Sequence, residues 1–135
     1  MGRTYSTPIN LTLFGRIPSK KNSRQARFSG KKRYTVPSEA HEVWHEDQSW
    51  KLASLRPAIP VTKCEVVLTF FPPDKLIADS TNKAESVMDL LVDTGFLEDD
   101  NWFIATDIIL KFGGVWRENP QVKIEIKPYE NNTEA

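Results

Sequence analysis

Carboxylates are concentrated in the segment 79–107, which contains eight of them and a single lysine, Lys83. Carboxylates that converge repel one another, and a cation placed among them removes the repulsion. Mg²⁺ is bound by a few such oxygens and keeps other positions for water and phosphate oxygens. In that setting it activates water and stabilises a leaving alkoxide, which is the chemistry of phosphodiester hydrolysis. The competing interpretation is an acidic helix that only faces solvent.

One amphipathic helix is predicted to position these carboxylates. Apolar residues recur at the spacing i, i+3, i+4, i+7 of a buried helical stripe, namely Ala84, Val87, Met88 and Leu91. Glu85 and Asp89 lie one turn apart, so they project together beside that stripe. Asn82 followed by Glu85 has the spacing of a capping box, and Gly95 is a typical C-terminal stop. The helix therefore carries acids along its length.

The order of these residues resembles the RusA family of Holliday-junction resolvases. The family signature runs D-x-D-N-x-x-K, then a helix ending in D-A-L, a glycine and an Asp-Asp pair. The match needs no gap and falls on Asp79, Asn82, Asp89, Leu91, Gly95, Asp99 and Asp100. The chain departs from the signature at Thr81, where the second aspartate belongs, and at Glu85, where the lysine belongs.

The resemblance implies a homodimeric endonuclease, dependent on Mg²⁺ or Mn²⁺, that cleaves four-way DNA junctions in recombination and repair. It carries metal-ligand roles onto Asp79 and Asp100. We expect Glu85, one helical turn after Thr81, to restore the charge that is missing there. The predicted catalytic and metal ligands are Asp79, Glu85 and Asp100, with Asp89 and Asp99 as second choices. The two departures also leave open a relative that binds junctions without cleaving them.

A basic segment near the start of the chain is the second candidate for function. Residues 1–38 contain nine Lys or Arg and no acid, although the whole chain has 18 charges of each sign. Such segregation favours a polyanionic partner, or an arm that lies on the protein's own acids. Basic side chains neutralise phosphates, and the interleaved Phe28 and Tyr34 can stack on bases. The predicted DNA-binding residues are Lys20, Lys21, Asn22, Arg24, Arg27, Lys31, Lys32 and Arg33, together with Lys83.

A second metal pattern occurs at His41-Glu42-Val43-Trp44-His45. It matches H-E-x-x-H, which places two zinc ligands one helical turn apart beside a glutamate base. These are the only two histidines, so a zinc hydrolase would need a carboxylate such as Glu65 as third ligand. Glu65 falls in the next strand, and a short pattern with two wildcards arises by chance. A surface helix is the favoured interpretation.

The remaining secondary-structure elements are predicted from the periodicity of apolar residues and from the residues that begin or end helices and strands. Ile9, Leu11 and Leu13 alternate with polar residues as in a half-buried strand. The segment 16–35 is predicted to be a loop or loose hairpin. A helix is expected from Ser38, as N-cap, to about Leu55, with Ala40, Val43, Trp44, Trp50 and Ala53 buried.

Three further strands complete the prediction. Residues 61–71 form a central strand buried on both faces, and residues 102–112 a mostly buried strand. Residues 121–127 form a strand at or near an edge, paired in hairpin fashion with the one before it. The end of the 61–71 strand and the loop before 102 are expected to bring Asp79 and Asp100 to one end of the sheet. The fold class is α/β, a mixed sheet of order β-α-β-α-β-β with helices packed on it.

Length and composition point to one domain spanning residues 1–135. Cys64 is the only cysteine, so no internal disulfide forms, which fits a cytoplasmic, reducing environment. No apolar run is as long as a membrane span, and the start of the chain lacks a signal peptide's apolar centre. The tail, residues 128–135, is polar and is expected to be disordered.

Overall fold

A computed structural model describes residues 6–18, 24–29, 32–37, 39–75 and 80–129, with the backbone alone for 24–29, 32–37 and Ser80. The elements are β1 (Ile9–Phe14), β2 (Arg24–Ser29), β3 (Lys32–Pro37), α1 (Glu39–Leu52), a 3-10 turn (Ala53–Leu55), β4 (Cys64–Phe71), α2 (Ser80–Asp93), β5 (Ala105–Phe112) and β6 (Gln121–Pro128). A four-stranded mixed sheet and two helices form one domain, which confirms the predicted fold class. Within the described residues, no helix is long and apolar enough to cross a membrane.

The main sheet has the strand order β1-β6-β4-β5. β4 is parallel to β5 and antiparallel to β6, while β1 is antiparallel to β6. The predicted hairpin pairing of β5 with β6 is therefore wrong, because β4 lies between them. The connection 113–120 is longer than a tight hairpin loop of about two to five residues, so the chain can pass over β4.

Burial agrees with the prediction in β4 and differs from it in β5. β4 is central, with Val66 and Leu68 buried on one face and Val67 buried between the half-buried Glu65 and Thr69 on the other. β5 lies at the sheet edge, and its Ile109 and Phe112 are exposed. An apolar run predicts a strand, but it does not predict how many faces are covered.

Helix α2 is as predicted along its apolar stripe. All four stripe residues are buried against the sheet, and the core cluster extends from them to Leu13, Leu68 and Ile124. The helix ends at Asp93 and is capped by Gly95, whose φ of 88° suits only glycine without strain. The Phe96 N–H donates to the Leu91 carbonyl at 2.9 Å, and the Gly95 N–H donates to Val92 at 3.1 Å, which is a Schellman cap.

The predicted capping box at Asn82 is wrong. Helix α2 already includes Ser80, so Asn82 lies inside its first turn rather than before it. An N-terminal capping residue has a non-helical backbone conformation, whereas the backbone of Asn82 is helical. The residue before the helix, Asp79, lies outside the described residues.

Helix α1 is predicted correctly in position but not in the face that it buries. Its buried residues are His41, Gln48 and Leu52, with Trp44 half-buried. Val43 is 60% exposed and Trp50 is 78% exposed. Contact with α2 sets this orientation, since His45 Nε2 lies 2.9 Å from an Asp93 carboxylate oxygen. The predicted N-cap, Ser38, lies outside the described residues.

The basic segment contains a hairpin, which is one of the two alternatives, a loop or a loose hairpin, that were predicted for it. β2 and β3 form a separate two-stranded antiparallel sheet, in which Arg24 pairs with Pro37 and Ser29 with Lys32. At the other end of the chain, β6 includes Pro128, and the Tyr129 N–H donates to the Lys63 carbonyl at 3.1 Å. The predicted disordered tail therefore begins too early, and residues 130–135 lie outside the described part.

Candidate functional site

The loop between α2 and β5 holds an ordered pair of aspartates. One Asp99 carboxylate oxygen accepts the Asp100 N–H at 2.7 Å, and the other accepts the Asn101 side-chain amide at 3.2 Å. The Asn101 side-chain oxygen in turn accepts the Phe103 N–H at 2.9 Å. The Asp100 N–H lowers the pKa of Asp99, which is fully exposed. These local bonds keep Asp99 ionised and hold the loop in one conformation.

Asp100 is an acid whose pKa is raised by its surroundings. Partial burial raises the pKa of this carboxyl, and contact with Asp99 together with the negative charge of Asp89 raises it further. Asp89 is half-buried on α2, whereas Asp99 and Asp100 are exposed on the loop. The charges of Asp89 and Asp99, the second choices of the sequence-based prediction, therefore act on Asp100, although the described acids form no group arranged to enclose a metal ion.

The acids nearer the start of α2 are placed differently. Glu85 and Thr81 are both exposed, one turn apart on the helix. Glu85 is not among the charges that raise the pKa of Asp100. Asp79, predicted as a metal ligand, lies outside the described residues, so the predicted trio of Asp79, Glu85 and Asp100 stays a prediction.

The strand topology corrects one step of that prediction. Because β4 and β5 are parallel, the end of β4 and the beginning of β5 lie at opposite ends of the sheet. Helix α2 runs back between them, and its rise from Ser80 to Asp89 is about 13 Å. The exit of β4 and the entrance of β5 therefore do not meet, contrary to expectation. Among the described side chains, no group of three or more His, Cys, Asp or Glu is arranged to enclose a metal ion.

A cleft of about 540 Å³ lies at the other end of the sheet, where β1, β4 and β5 end and β6 begins. Its lining includes three cationic side chains, Arg16, Lys75 and Lys83, and one acid, Asp74. Arg16 Nη2 donates to an Asp74 carboxylate oxygen at 2.6 Å. Sequence reasoning had assigned Lys83 to DNA binding but had not grouped it with the other residues of this cleft.

Lys83 is held in the cleft by the backbone. Its ammonium group donates to the Ile17 carbonyl, and the Ser86 hydroxyl donates to the Pro18 carbonyl at 2.7 Å. Burial lowers the pKa of Lys83, and the nearby Arg16 charge lowers it further, while Asp74 opposes the shift. The start of α2 is thereby fixed to the end of β1.

Four of the other predicted DNA-binding residues lie on the β2–β3 hairpin. The backbone places Arg24, Arg27, Lys32 and Arg33 on the β2–β3 hairpin, with Arg27 opposite Tyr34 and Arg33 opposite Phe28. Lys20, Lys21, Asn22 and Lys31 lie outside the described residues.

The His-Glu pattern on α1 does not assemble with its predicted third ligand. The His41 and His45 rings are 6.3 Å apart, but Glu42 is exposed and His45 is paired with Asp93. Glu65 alternates with buried residues that face the helices, so it projects to the opposite face of the sheet, where Lys127 lies 4.0 Å away. The two histidines instead join α1 to the core and to α2.

Cys64 has no catalytic environment. It is fully buried in the core, and burial raises the pKa of its thiol to about 11. It is therefore protonated at neutral pH and acts as a small apolar side chain.

No family model matches the chain, and no curated protein is significantly similar to it.

Proposed function

We propose that the protein is a Mg²⁺-dependent endonuclease that cleaves Holliday junctions or related branched DNA, as the resemblance to RusA resolvases implies. The protein would act as a homodimer, because a four-way junction presents two symmetry-related strands. It would act in the cytoplasm of a bacterial or phage-infected cell. The spacing of Asp79, Asn82, Asp89, Gly95 and the Asp99-Asp100 pair supports the assignment.

The observation that carries the proposal is the spacing of the signature residues, which ends in the Asp99-Asp100 pair. The raised pKa of Asp100 supports it: burial is the main cause, the charges of Asp99 and Asp89 add to it, and a cation beside this carboxyl would offset both. Perturbed carboxyl groups of this kind concentrate at functional sites. Mg²⁺ is usually held by one or two carboxylates, with waters and substrate phosphates as the other ligands. The described acids fit that requirement without a complete protein cage.

Asp100 and Asp89 are the described residues that would hold the metal. The resemblance also implies Asp79, which lies outside the described residues and precedes the opposite end of α2. When bound, Mg²⁺ supplies a nucleophilic water and stabilises the leaving alkoxide. Asp99, fixed by the Asp100 and Asn101 donors, positions the loop that presents Asp100. Thr81 contributes no charge, so Glu85 one turn later is the side chain that would compensate for it.

The cleavage assay uses a labelled four-way junction and a duplex of matched sequence, each with and without Mg²⁺. Cleavage of the junction alone, stopped by EDTA and restored by Mg²⁺, is the expected result. Junction binding without cleavage in Mg²⁺ or Mn²⁺ would replace the proposal with that of a catalytically impaired junction-binding relative. Equal cleavage of duplex and junction would contradict junction selectivity.

A further inference from the structure

The cleft at the end of the sheet plays no part in the acid site, although its volume of about 540 Å³ is typical of a ligand pocket. It is lined mainly by apolar side chains, which are Ile17, Phe70, Phe71, Pro72, Pro73, Phe112 and Val115. Phe112 is 73% exposed, and Val115 is also exposed. Large apolar side chains exposed together around a concave surface indicate a binding site.

The end of β4, which lines the cleft, is closely packed around Phe71. The Phe71 ring packs edge-on against Trp116, with 5.7 Å between the ring centres. It also lies directly on Gly113, where a Cβ atom would come within 2.4 Å of the ring. Lys123 lies 5.5 Å from the ring centre. Because side chains alternate along β4, the Phe71 ring lies on the opposite face of the sheet from Phe70 and its strand partner Phe112, so this packing fixes the end of β4 and leaves the other face to a ligand.

The charge of the cleft favours an anion. Three cations line it, and its one acid, Asp74, is already paired with Arg16. Lys75 is exposed at the rim, and Lys83 is half-buried. Cations at the mouth of an apolar pocket attract phosphate, while the apolar walls accept a flat ring.

We propose that this cleft binds one nucleotide of a DNA strand, with the base against Phe70, Phe112 and the prolines and the phosphate at Lys75, Lys83 and Arg16. The identification of the polymer as DNA rests on the proposed function. The base would be held by apolar contacts and stacking, which do not distinguish one base from another. Such contacts require that the base is unpaired. A base next to a branch point is unpaired at lower cost than one within a continuous duplex, because its stacking is already interrupted.

The cleft and the acids lie along the same helix. From Lys83 to Asp89 the rise of α2 is about 9 Å. The two residues are also about 120° apart around the helix axis, so a strand whose nucleotide occupies the cleft would have to pass around α2 to bring a neighbouring phosphate to the acid end. The cleft would select the branched substrate, and the acids would act on it.

Binding of a fluorescent single strand, measured by anisotropy in EDTA, tests the cleft separately from cleavage. Phe112→Ala should weaken binding by about tenfold or more, as expected for loss of base stacking. Phe112→Trp should retain it. Trp102→Ala is the matched control, because Trp102 is 78% exposed and does not line the cleft. Equal losses in Phe112→Ala and Trp102→Ala would overturn the proposal.

The phosphate contact has its own pair of variants. Lys75→Gln should weaken binding and reduce its salt dependence, whereas Lys111→Gln should do neither to the same extent. Lys111 is exposed next to Phe112 and does not line the cleft. Identical effects of the two substitutions would show that charge acts generally and not through the cleft.

A strand of abasic nucleotides separates base from backbone. The loss caused by Phe112→Ala should disappear on that strand, because no base is present to stack. An unchanged loss on the abasic strand would overturn the proposed base contact. Tighter binding of the matched RNA strand would overturn the assignment to DNA.

The cleavage assay distinguishes this inference from the proposed function. A protein that cleaves junctions while Phe112→Ala binds like the parent keeps its function and loses the cleft proposal. A protein that loses single-strand binding through Phe112→Ala but never cleaves keeps the cleft and loses the nuclease assignment.

Discussion

The two ends of α2 carry opposite charge, although they belong to one fourteen-residue helix. Near its start, Lys83 lies with Arg16 and Lys75 around an apolar cleft. Towards its end, Asp89 acts on Asp100 in the loop before β5. Burial is the largest cause of the pKa shift at both ends, lowering the pKa of Lys83 and raising that of Asp100, and a neighbouring like charge adds to each shift. A phosphate would offset the like charge at the cationic end, and a metal cation would offset it at the acidic end.

The net charge of zero therefore conceals two regions of opposite charge. The acidic end repels phosphate unless a cation is present, while the cationic end attracts phosphate without one. We therefore expect DNA binding and cleavage to separate experimentally. Substitutions at the acidic end should affect turnover, and those at the cationic end and on the hairpin should affect affinity.

Asp100→Asn provides the largest test of this separation. It should reduce Mg²⁺-dependent junction cleavage by more than about 100-fold, since even the outer partners of metal ligands are worth about 10–100-fold. Binding in EDTA should be equal or tighter, because a charge that repels phosphate is gone. Glu98→Gln, exposed in the same loop, is the matched control and should cleave like the parent. Loss of binding in Asp100→Asn would remove the distinction between the two ends.

A second comparison asks which acid of α2 supports Asp100. Asp89→Asn should reduce cleavage about 10–100-fold, because the charge of Asp89 acts on Asp100. Glu85→Gln should cost less if Glu85 only compensates for Thr81. Kinetics at several Mg²⁺ concentrations measure both. A larger loss in Glu85→Gln would favour the predicted trio of Asp79, Glu85 and Asp100.

The departures from the family signature can be tested on the same assay. Thr81→Asp alone should raise activity little, since it adds a like charge beside Glu85. Combined with Glu85→Lys, it rebuilds the signature and should recover more activity than Glu85→Lys alone. Strict additivity of the two changes would show that positions 81 and 85 do not share a site.

The basic segment should control affinity rather than turnover. Neutralising Lys20, Lys21, Arg24 and Arg27 together should reduce the slope of log affinity against log salt by up to about 4 for duplex DNA. Affinity should fall for duplex and junction alike, because phosphate contacts carry no sequence information. An unchanged slope would mean that the segment does not contact DNA.

The sequence predicted elements better than it predicted their environments. The apolar stripe of α2 and its stop at Gly95 follow from local spacing and backbone conformation, and both are observed. In α1, long-range contact with α2 buries His41 and exposes Trp50, which no local pattern specifies. The position of β6 between β1 and β4 is likewise set by long-range pairing.

The candidate site divides in the same way. The Asp99-Asp100 loop could be proposed from the sequence because its residues are consecutive. The cleft could not, because Arg16, Phe71, Lys83 and Phe112 are distant in the chain and meet only through strand order. The expectation that Asp79 and Asp100 lie at one end of the sheet did not take into account that a strand-helix-strand order favours parallel strands, in which the end of the first strand and the beginning of the second lie at opposite ends.

A double variant of His41 and His45 tests whether helix α1 carries a zinc site in addition to the two regions at the ends of α2. His41→Ala with His45→Ala should leave junction cleavage intact and lower the free energy of unfolding by about 1–3 kcal/mol, since a buried side chain and the bond to Asp93 are lost. Glu42→Ala, exposed on the same helix, should change neither. Stoichiometric zinc in the parent that disappears in the double variant would favour the zinc hydrolase instead.

The smallest expected effect is the dependence of stability on pH at Asp100. Its pKa is raised in the folded protein, so folding is favoured while the carboxyl is protonated, and that contribution is lost as pH rises through the folded pKa. In EDTA at pH 7, Asp100→Asn should therefore be the more stable protein, by at most about 1 kcal/mol because the exposed carboxylate is screened. The difference should vanish below the ordinary Asp pKa, where both side chains are neutral. Added Mg²⁺ should raise the melting temperature of the parent and not of the variant, because only the parent retains the ligand. A parent that is the more stable protein at pH 7 in EDTA would show that no repulsion exists at the acidic end, and the contrast between the ends of α2 would then rest on the cleft alone.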